Sequence, residues 1–392
     1  MRCASPHVRQ FFAALLFGGS VIALVYFGLL GQGLGPSDED FAVLHFAARS
    51  WLTGLDPYRP AFRLTPEDDI VLFPYPPHSA AVLLPLGFFG FQTAALLWKL
   101  VNVAAVALIV GLTFRRALRA RPRPTRTELL VVAALIIGNS FTTKVVWQGQ
   151  TSLIVLAAVM AAWELAPRRW LVAGVCFAIA GFKPQAAVLF GIWLLLEREW
   201  RVLATVAAAT LLMSAYPFLT QGVVGSLHSW WTTLQGYGEE GPNALGSPRM
   251  VTLQSLLYTV GIQVPNLTLA ALVLTVLLWL FRKRFSTDAI PGLLLGLSAT
   301  FISGHDQDYV WLIPLATTLW LQAREDRYRS VVFASLLGLV MTPLRLLRMV
   351  DLEPLYHWRT ALVLVLMALA IRWTWRSETP TDGNLSTAVA PA

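Results

Sequence analysis

Long apolar runs separated by short polar clusters dominate this chain. Twelve runs stand out, at roughly 11–31, 92–114, 128–143, 151–166, 170–182, 185–197, 202–219, 264–281, 289–303, 309–322, 330–344 and 360–376. A bilayer core takes about 20 residues of helix per crossing, somewhat fewer where protein covers part of the helix. The pattern therefore predicts an all-α, polytopic transmembrane bundle of about twelve spans. The first run follows Arg2 and Arg9 and extends from Phe11 to Leu30. It is longer than a signal core and no small-x-small cleavage site follows, so it is expected to stay as a span.

Lysines and arginines recur just after the apolar runs. With the N-terminus in the cytoplasm, the inner clusters are Arg115/Arg116/Arg119/Arg121/Arg123/Arg126, Arg168/Arg169, Arg198/Arg201, Arg282/Lys283/Arg284, Arg324/Arg327/Arg329 and Arg372/Arg376. With Arg2 and Arg9 they hold twenty of the thirty basic residues. That bias selects one orientation, with both termini cytoplasmic. It also requires 170–197 to be a tight hairpin turning at Gly181-Phe182-Lys183-Pro184. One long bent helix is the alternative, and it would invert everything downstream.

The outer side then carries two loops, about 32–92 and 220–265, neither long enough to be a domain. The chain is expected to form a single membrane unit over 1–376, followed by a polar, disordered cytoplasmic tail over 377–392. In the first loop Phe41, Leu44, Ala48, Trp51 and Leu52 fall at helical spacing, the pattern of a helix lying on the membrane. Ser79 to Phe91, after Tyr75-Pro76-Pro77, is too short to span and reads as re-entrant or juxtamembrane. No internal repeat of the transporter kind is visible.

Composition agrees. The 392 residues are 56% hydrophobic and 13% charged, with mean hydropathy +0.61, against about 25% charged in soluble domains. A net charge of +8 would suit nucleic acid, but the basic residues are spread over loop clusters rather than one face or tail. No nucleic-acid partner is expected. Cys3 and Cys176 are too few for a disulfide framework or a metal site, and Cys176 sits in an apolar run as packing.

The candidate chemistry gathers at the outer ends. Ser37-Asp38-Glu39-Asp40-Phe41 places three acids beside a low-dielectric surface, where a carboxylate's pKa rises towards that of a useful base. The same residues have the S-x-x-D spacing of a capping box. His305-Asp306-Gln307-Asp308-Tyr309 could hold a phosphate or orient an acid, or could be a polar turn with Asp308 as N-cap. Lys183 could neutralise a lipid-linked phosphate as a point charge, or snorkel to the headgroups. Lys144, Trp147, Gln148 and Gln150, and also Lys99 and Asn102, read as snorkelling and interhelical hydrogen bonds. Glu164 and Arg168, four apart, read as an ordinary helix pair. Trp230, Trp231, Tyr237 and Asn243 to Arg249 suit either a sugar or, more simply, an interfacial belt. There is no zinc spacing, phosphate-cradling glycine loop or nucleophile elbow.

Taken in order, Asp40-Phe41, Gly54-Leu55-Asp56-Pro57-Tyr58 and Tyr75-Pro76-Pro77 resemble the "DF … G-x-D-P-Y … YPP" opening of glycosyltransferase family 87. That family includes the mycobacterial polyprenol-phosphate-mannose-dependent mannosyltransferases. Gly149-Gln150, Gly181-Phe182-Lys183-Pro184 and His305-Asp306 resemble later landmarks in the same order, so the resemblance covers most of residues 38–310. It implies a GT-C membrane fold and a polyprenyl-phosphate sugar donor bound from the outer leaflet of the plasma membrane. Asp40 would be the general base, with Asp38 its local competitor. Lys183 and His305 would lie near the donor phosphate, and Tyr58, Tyr75, Gln150 and Asp306 would contact substrate. A sugar, mannose by default, would pass with inversion to a lipid or glycan acceptor, with no cofactor and no metal expected. Pro242-Asn243-Ala244-Leu245 departs from the Asn-x-Ser element often found in the family's second loop. The alternative is a flippase or transporter of polyprenyl-linked sugars. That function predicts polar residues through the middle of spans, whereas here they collect at outer ends.

Overall fold

Local signals set the helix boundaries. The computed structural model describes residues 5–31, 38–58, 72–238, 243–302, 304–342, 344–350 and 353–375. Among these residues the chain is helical with no β-strand, apart from an isolated bridge between Met250 and His305. In chain order the helices are α1 (Pro6–Leu29), α2 (Glu39–Leu52), α3 (Pro77–Phe88), α4 (Phe91–Ala117), α5 (Arg126–Gly138), α6 (Ser140–Gln148) and α7 (Ser152–Leu165). There follow α8 (Trp170–Ala180), α9 (Pro184–Leu196), α10 (Trp200–Met213), α11 (Ala215–Gln221), α12 (Val223–Tyr237), α13 (Leu253–Thr259), α14 (Thr268–Leu280) and α15 (Ile290–Phe301). A 3-10 turn (Asp306–Leu312) leads into α16 (Ile313–Ala323); α17 (Arg327–Val340), α18 (Leu344–Met349) and α19 (Arg359–Thr374) complete the chain.

Ser5 caps α1 ahead of Pro6, and a reciprocal Thr125–Glu128 capping box starts α5. Asn139 ends α5 and starts α6 by accepting from the Thr142 N–H at 2.8 Å. Pro184 opens α9, where its missing N–H costs nothing.

Three segments, Pro6–Leu29, Phe91–Ala117 and Leu355–Thr374, are long and apolar enough to cross a membrane. The bent pairs α5/α6 (43°) and α10/α11 (49°) raise the total to five. The other apolar helices, among them α7, α8, α9, α14 and α15, are 10–17 residues long. They fall short of a full crossing alone, so twelve spans stay an expectation. Phe11, Leu15 and Ile22 on α1, and Leu96 and Leu100 on α4, stand exposed. Such outward apolar faces are those of a membrane protein.

The helices connect two chemically different ends. At one end arginines meet acids. Arg119 and Arg115 hold Glu164 at 2.6 and 2.9 Å, Arg282 holds Glu197 at 2.6 Å, and Arg116 reaches the Asp288 carbonyl and the Thr318 hydroxyl. Glu164 thus pairs across helices rather than with Arg168. At the other end lie Asp38, Lys99, Lys144, Lys183 and the turn after His305. Helices α4, α7 and α15 each run from one end to the other, and the 3-10 turn from Asp306 carries the chain back so that α16 already meets Arg116 at Pro314 and Thr318. The chain between 170 and 197 reverses at 181–183: Lys183 meets Asp308 at one end, while Glu197 meets Arg282 at the opposite one. The hairpin expectation holds, although α8 packs on α7 and α10 and α9 on α14 and α15 more than on each other. Helix α1 finishes beside Lys99 and α19 beside Phe285, so α1 starts and α19 ends at the arginine end.

One reading of the loops changes. The apolar face of α2 does not lie on a membrane: Phe41, Leu44, Ala48 and Trp51 are fully buried against protein. Helix α12 in the second loop keeps Val224 and Trp231 exposed, as a membrane-lying helix would. The capping box on Ser37, Pro242 and the tail over 377–392 lie outside the described residues.

Candidate active site

Gly149 fixes the geometry of the site. It ends α6 in the left-handed region (φ 72°), and a Cβ there would sit 2.5 Å from Phe41 Cβ. Without that side chain, α2 comes hard against the α6–α7 turn, and Trp98 Nε1 donates to the Gly149 carbonyl at 2.7 Å. Asp40, in the first turn of α2, is thereby placed beside Gln150.

A hydrogen-bond relay follows. Thr151 donates to the Tyr75 hydroxyl at 3.3 Å, Tyr75 donates to Gln150 Oε1 at 3.2 Å, and the Gln150 amide donates to the Asp40 carboxylate. Asp40 Oδ2 is buried and has no hydrogen-bond partner among the described residues. Burial pushes the Asp40 pKa up, opposed by Gln150 and by the charges of His305, Lys183 and Lys144. Asp40 thus combines a raised pKa with an uncommitted oxygen, beside His305 and the Lys183–Asp308 and Lys144–Asp306 pairs.

Asp38 is placed differently. It precedes α2 with φ 68°, and its backbone N–H donates to the Trp147 carbonyl at 3.1 Å. Its carboxylate takes Lys99 at 3.0 Å, both side chains being nearly buried. The ion pair ties α4 to the start of α2, a contact that the snorkelling reading of Lys99 missed. Asn102 bonds within its own helix, to the Trp98 carbonyl at 3.2 Å.

Two further pairs close the floor. Lys183 bonds Asp308 at 2.6 Å and the Ser152 hydroxyl at 2.8 Å, and lies 5.6 Å from the centre of the Trp311 ring. Ser152 also donates to Asp308 at 2.6 Å. Lys144 bonds Asp306 at 2.6 Å, and Tyr356 donates to the same carboxylate. Burial alone would raise the Asp306 pKa, but Lys144 and the hydrogen bonds outweigh it and hold Asp306 below the usual range. His305, half-buried, caps the turn, and its N–H donates to Asp308 Oδ2 at 3.2 Å. Asp308 is therefore the third residue of a capping box and not the N-cap. Burial lowers the His305 pKa, with Asp308 opposing, so the ring is held towards its neutral form. Segment 249–251 docks on this turn through Asp306 N–H to the Arg249 carbonyl at 3.0 Å and Val251 N–H to the Gly304 carbonyl at 3.1 Å.

Of the residues singled out from sequence, Asp40, Gln150, Tyr75, Lys183, His305 and Asp306 converge. Tyr58 supports them from behind: it is buried against Trp51 and Phe73 and donates to the Tyr75 carbonyl at 2.9 Å. In the second loop, Trp230 donates to the Pro74 carbonyl at 3.0 Å.

Residues 73–246 match the sequence profile described as Glycosyltransferase family 87. Over that segment the chain is similar to glycosyltransferase family 87. A curated protein of Mycobacterium tuberculosis (strain CDC 1551 / Oshkosh), named polyprenol-phosphate-mannose-dependent alpha-(1-2)-phosphatidylinositol pentamannoside mannosyltransferase, is 26% identical over 336 residues. The match covers 82% of this chain and 74% of that protein. No solved structure matches the chain. The family 87 profile ends at residue 246, so the His305 turn, which closes the site, lies beyond it.

Proposed function

We propose that this family 87 relative transfers a sugar, mannose by default, from a polyprenyl-phosphate donor to a lipid or glycan acceptor. The reaction would take place on the outer face of the plasma membrane, in a multi-pass protein with both termini cytoplasmic. One observation carries the reading. Asp40 has a raised pKa and an uncommitted oxygen, and it stands among His305, Lys183 and Lys144, contributed by distant parts of the chain.

The donor's lipid tail lies among the helices, with its phosphate on the cationic side of the site. Asp40 takes the proton from an acceptor hydroxyl, and that oxygen attacks the anomeric carbon opposite the phosphate. The bond from that carbon to the phosphate oxygen breaks, configuration inverts, and polyprenyl phosphate leaves with its charge held in a poorly hydrated site. A positioned base contributes about 10²–10⁴ in rate, and placing both substrates at one surface contributes more. Tyr75 and Gln150 hold Asp40 in place, and no metal is needed when the leaving phosphate's charge is offset. The relative's name, which states a polyprenol-phosphate-mannose donor, supports this choice. The test incubates purified protein with labelled polyprenyl-phosphate mannose and a lipid extract. Label in a new product supports the transferase. Label that only crosses the bilayer, with no new product, refutes it.

A further inference from the structure

Around the site, charge is almost fully matched. Lys99, Lys144 and Lys183 are taken by Asp38, Asp306 and Asp308. Among the deeply buried charged groups described around the site, Arg359 has no ion-pair partner; the one other uncommitted charge is an oxygen of Asp40, already the proposed base. Arg359 begins α19, is 2% exposed, and none of its three guanidinium nitrogens has a hydrogen-bond partner. It stacks over the Tyr356 ring at 4.0 Å, and its guanidinium carbon lies 5.5 Å from the centre of the Phe141 ring. Tyr356 donates to Asp306, and Phe141 lies one turn before Lys144 on α6. Arg359 therefore flanks the Lys144–Asp306 pair. Stacking on an aromatic face returns less than desolvating a guanidinium costs, and a buried cation with empty donors calls for an anion.

We infer that the Arg359 guanidinium binds a lipid-borne phosphate, the donor's, in the site described above. The inference rests on the transferase reading for the identity of that lipid. A planar fork of donors suits a phosphate better than a lysine does, and the lysines here are already engaged. Phosphate binding by Arg359 would leave Lys183 and Lys144 to supply field rather than direct contact.

The test uses the full-length protein in nanodiscs, with binding followed by tryptophan fluorescence. The probes are decaprenyl phosphate, uncharged decaprenol and phosphatidylinositol. Arg359→Gln is expected to weaken decaprenyl phosphate about 10- to 100-fold, the worth of a hydrogen bond to a charged group, and to leave decaprenol unchanged. Arg359→Lys keeps the charge but loses the fork, so it should recover only part of the affinity, binding between Arg359→Gln and wild type. Because the cation is unpaired in the free protein, neither variant should melt below wild type, whereas a purely structural stacking role predicts a lower melting point. Unchanged decaprenyl phosphate affinity in both variants overturns the inference. A loss confined to phosphatidylinositol assigns the phosphate to an acceptor and overturns the donor assignment. If wild type transfers no mannose but binds decaprenyl phosphate through Arg359, the transferase reading fails while the phosphate site stands.

Discussion

The Lys183–Asp308 pair gives the sharpest stability prediction. Both side chains are shut away from solvent, 6% and 0% exposed, with a 2.6 Å contact. Removing one partner of such a pair typically costs about 3–5 kcal/mol, because the other charge stays buried. The two partners are not equivalent. Without Lys183, Asp308 keeps the Ser152 hydroxyl at 2.6 Å and the His305 N–H at 3.2 Å. Without the Asp308 charge, Lys183 keeps only Ser152 and the Trp311 face. Asp308→Asn should therefore cost near the top of that range, about 4–5 kcal/mol, and Lys183→Met nearer about 2–3 kcal/mol. The double variant should recover most of the loss, since no charge is then stranded. Denaturation of the detergent-purified protein, followed by tryptophan fluorescence, reads all three. If Asp308→Asn unfolds with wild type, or if the double variant simply adds the two losses, the pair is not the closed structural unit described here.

Three other outcomes follow from the geometry. Asp38→Ala should cost roughly 3 kcal/mol by stranding Lys99, while the protein that still folds keeps transfer activity; loss of turnover in folded Asp38→Ala would make Asp38 the base. Gly149→Ala combines a left-handed backbone with a 2.5 Å approach to Phe41 Cβ, so it should cost about 2–4 kcal/mol and lower turnover by moving Asp40, checked by melting and rate together. Asp40 must be ionised to act, so kcat/KM should fall as pH drops through a value above the ordinary aspartate range. Its raised folded pKa also means that the folded state holds the proton more tightly than the unfolded one. Stability therefore falls as pH rises through that window, and Asp40→Asn should remove that slope, measurable as melting temperature against pH.

Hydrophobic pattern and basic clusters were enough to predict the helical architecture, the grouping of arginines at one end and the turn at Lys183. The reason is that lipid contact and loop charge leave marks on every span. Which acid stays uncommitted was not legible, because Asp38 and Asp40 differ only in partners from α4 and from the α6–α7 turn, 61 and about 110 residues away. Lys99 and Lys144 looked like snorkelling side chains for the same reason: their partners, Asp38 and Asp306, are distant in sequence. The outward face expected of α2 was also misplaced, since apolar spacing marks a buried face without saying whether protein or lipid covers it. Arg359 carried no sequence signal beyond lying at the start of an apolar run. Its interest comes from empty donors, which only the packed structure reveals.

The role of Asp40 is tested by comparing wild type with Asp40→Asn using labelled polyprenyl-phosphate mannose, with donor binding measured alongside. Donor binding should persist while transfer falls by about 10²–10⁴. Wild-type turnover in a folded Asp40→Asn protein would contradict that role.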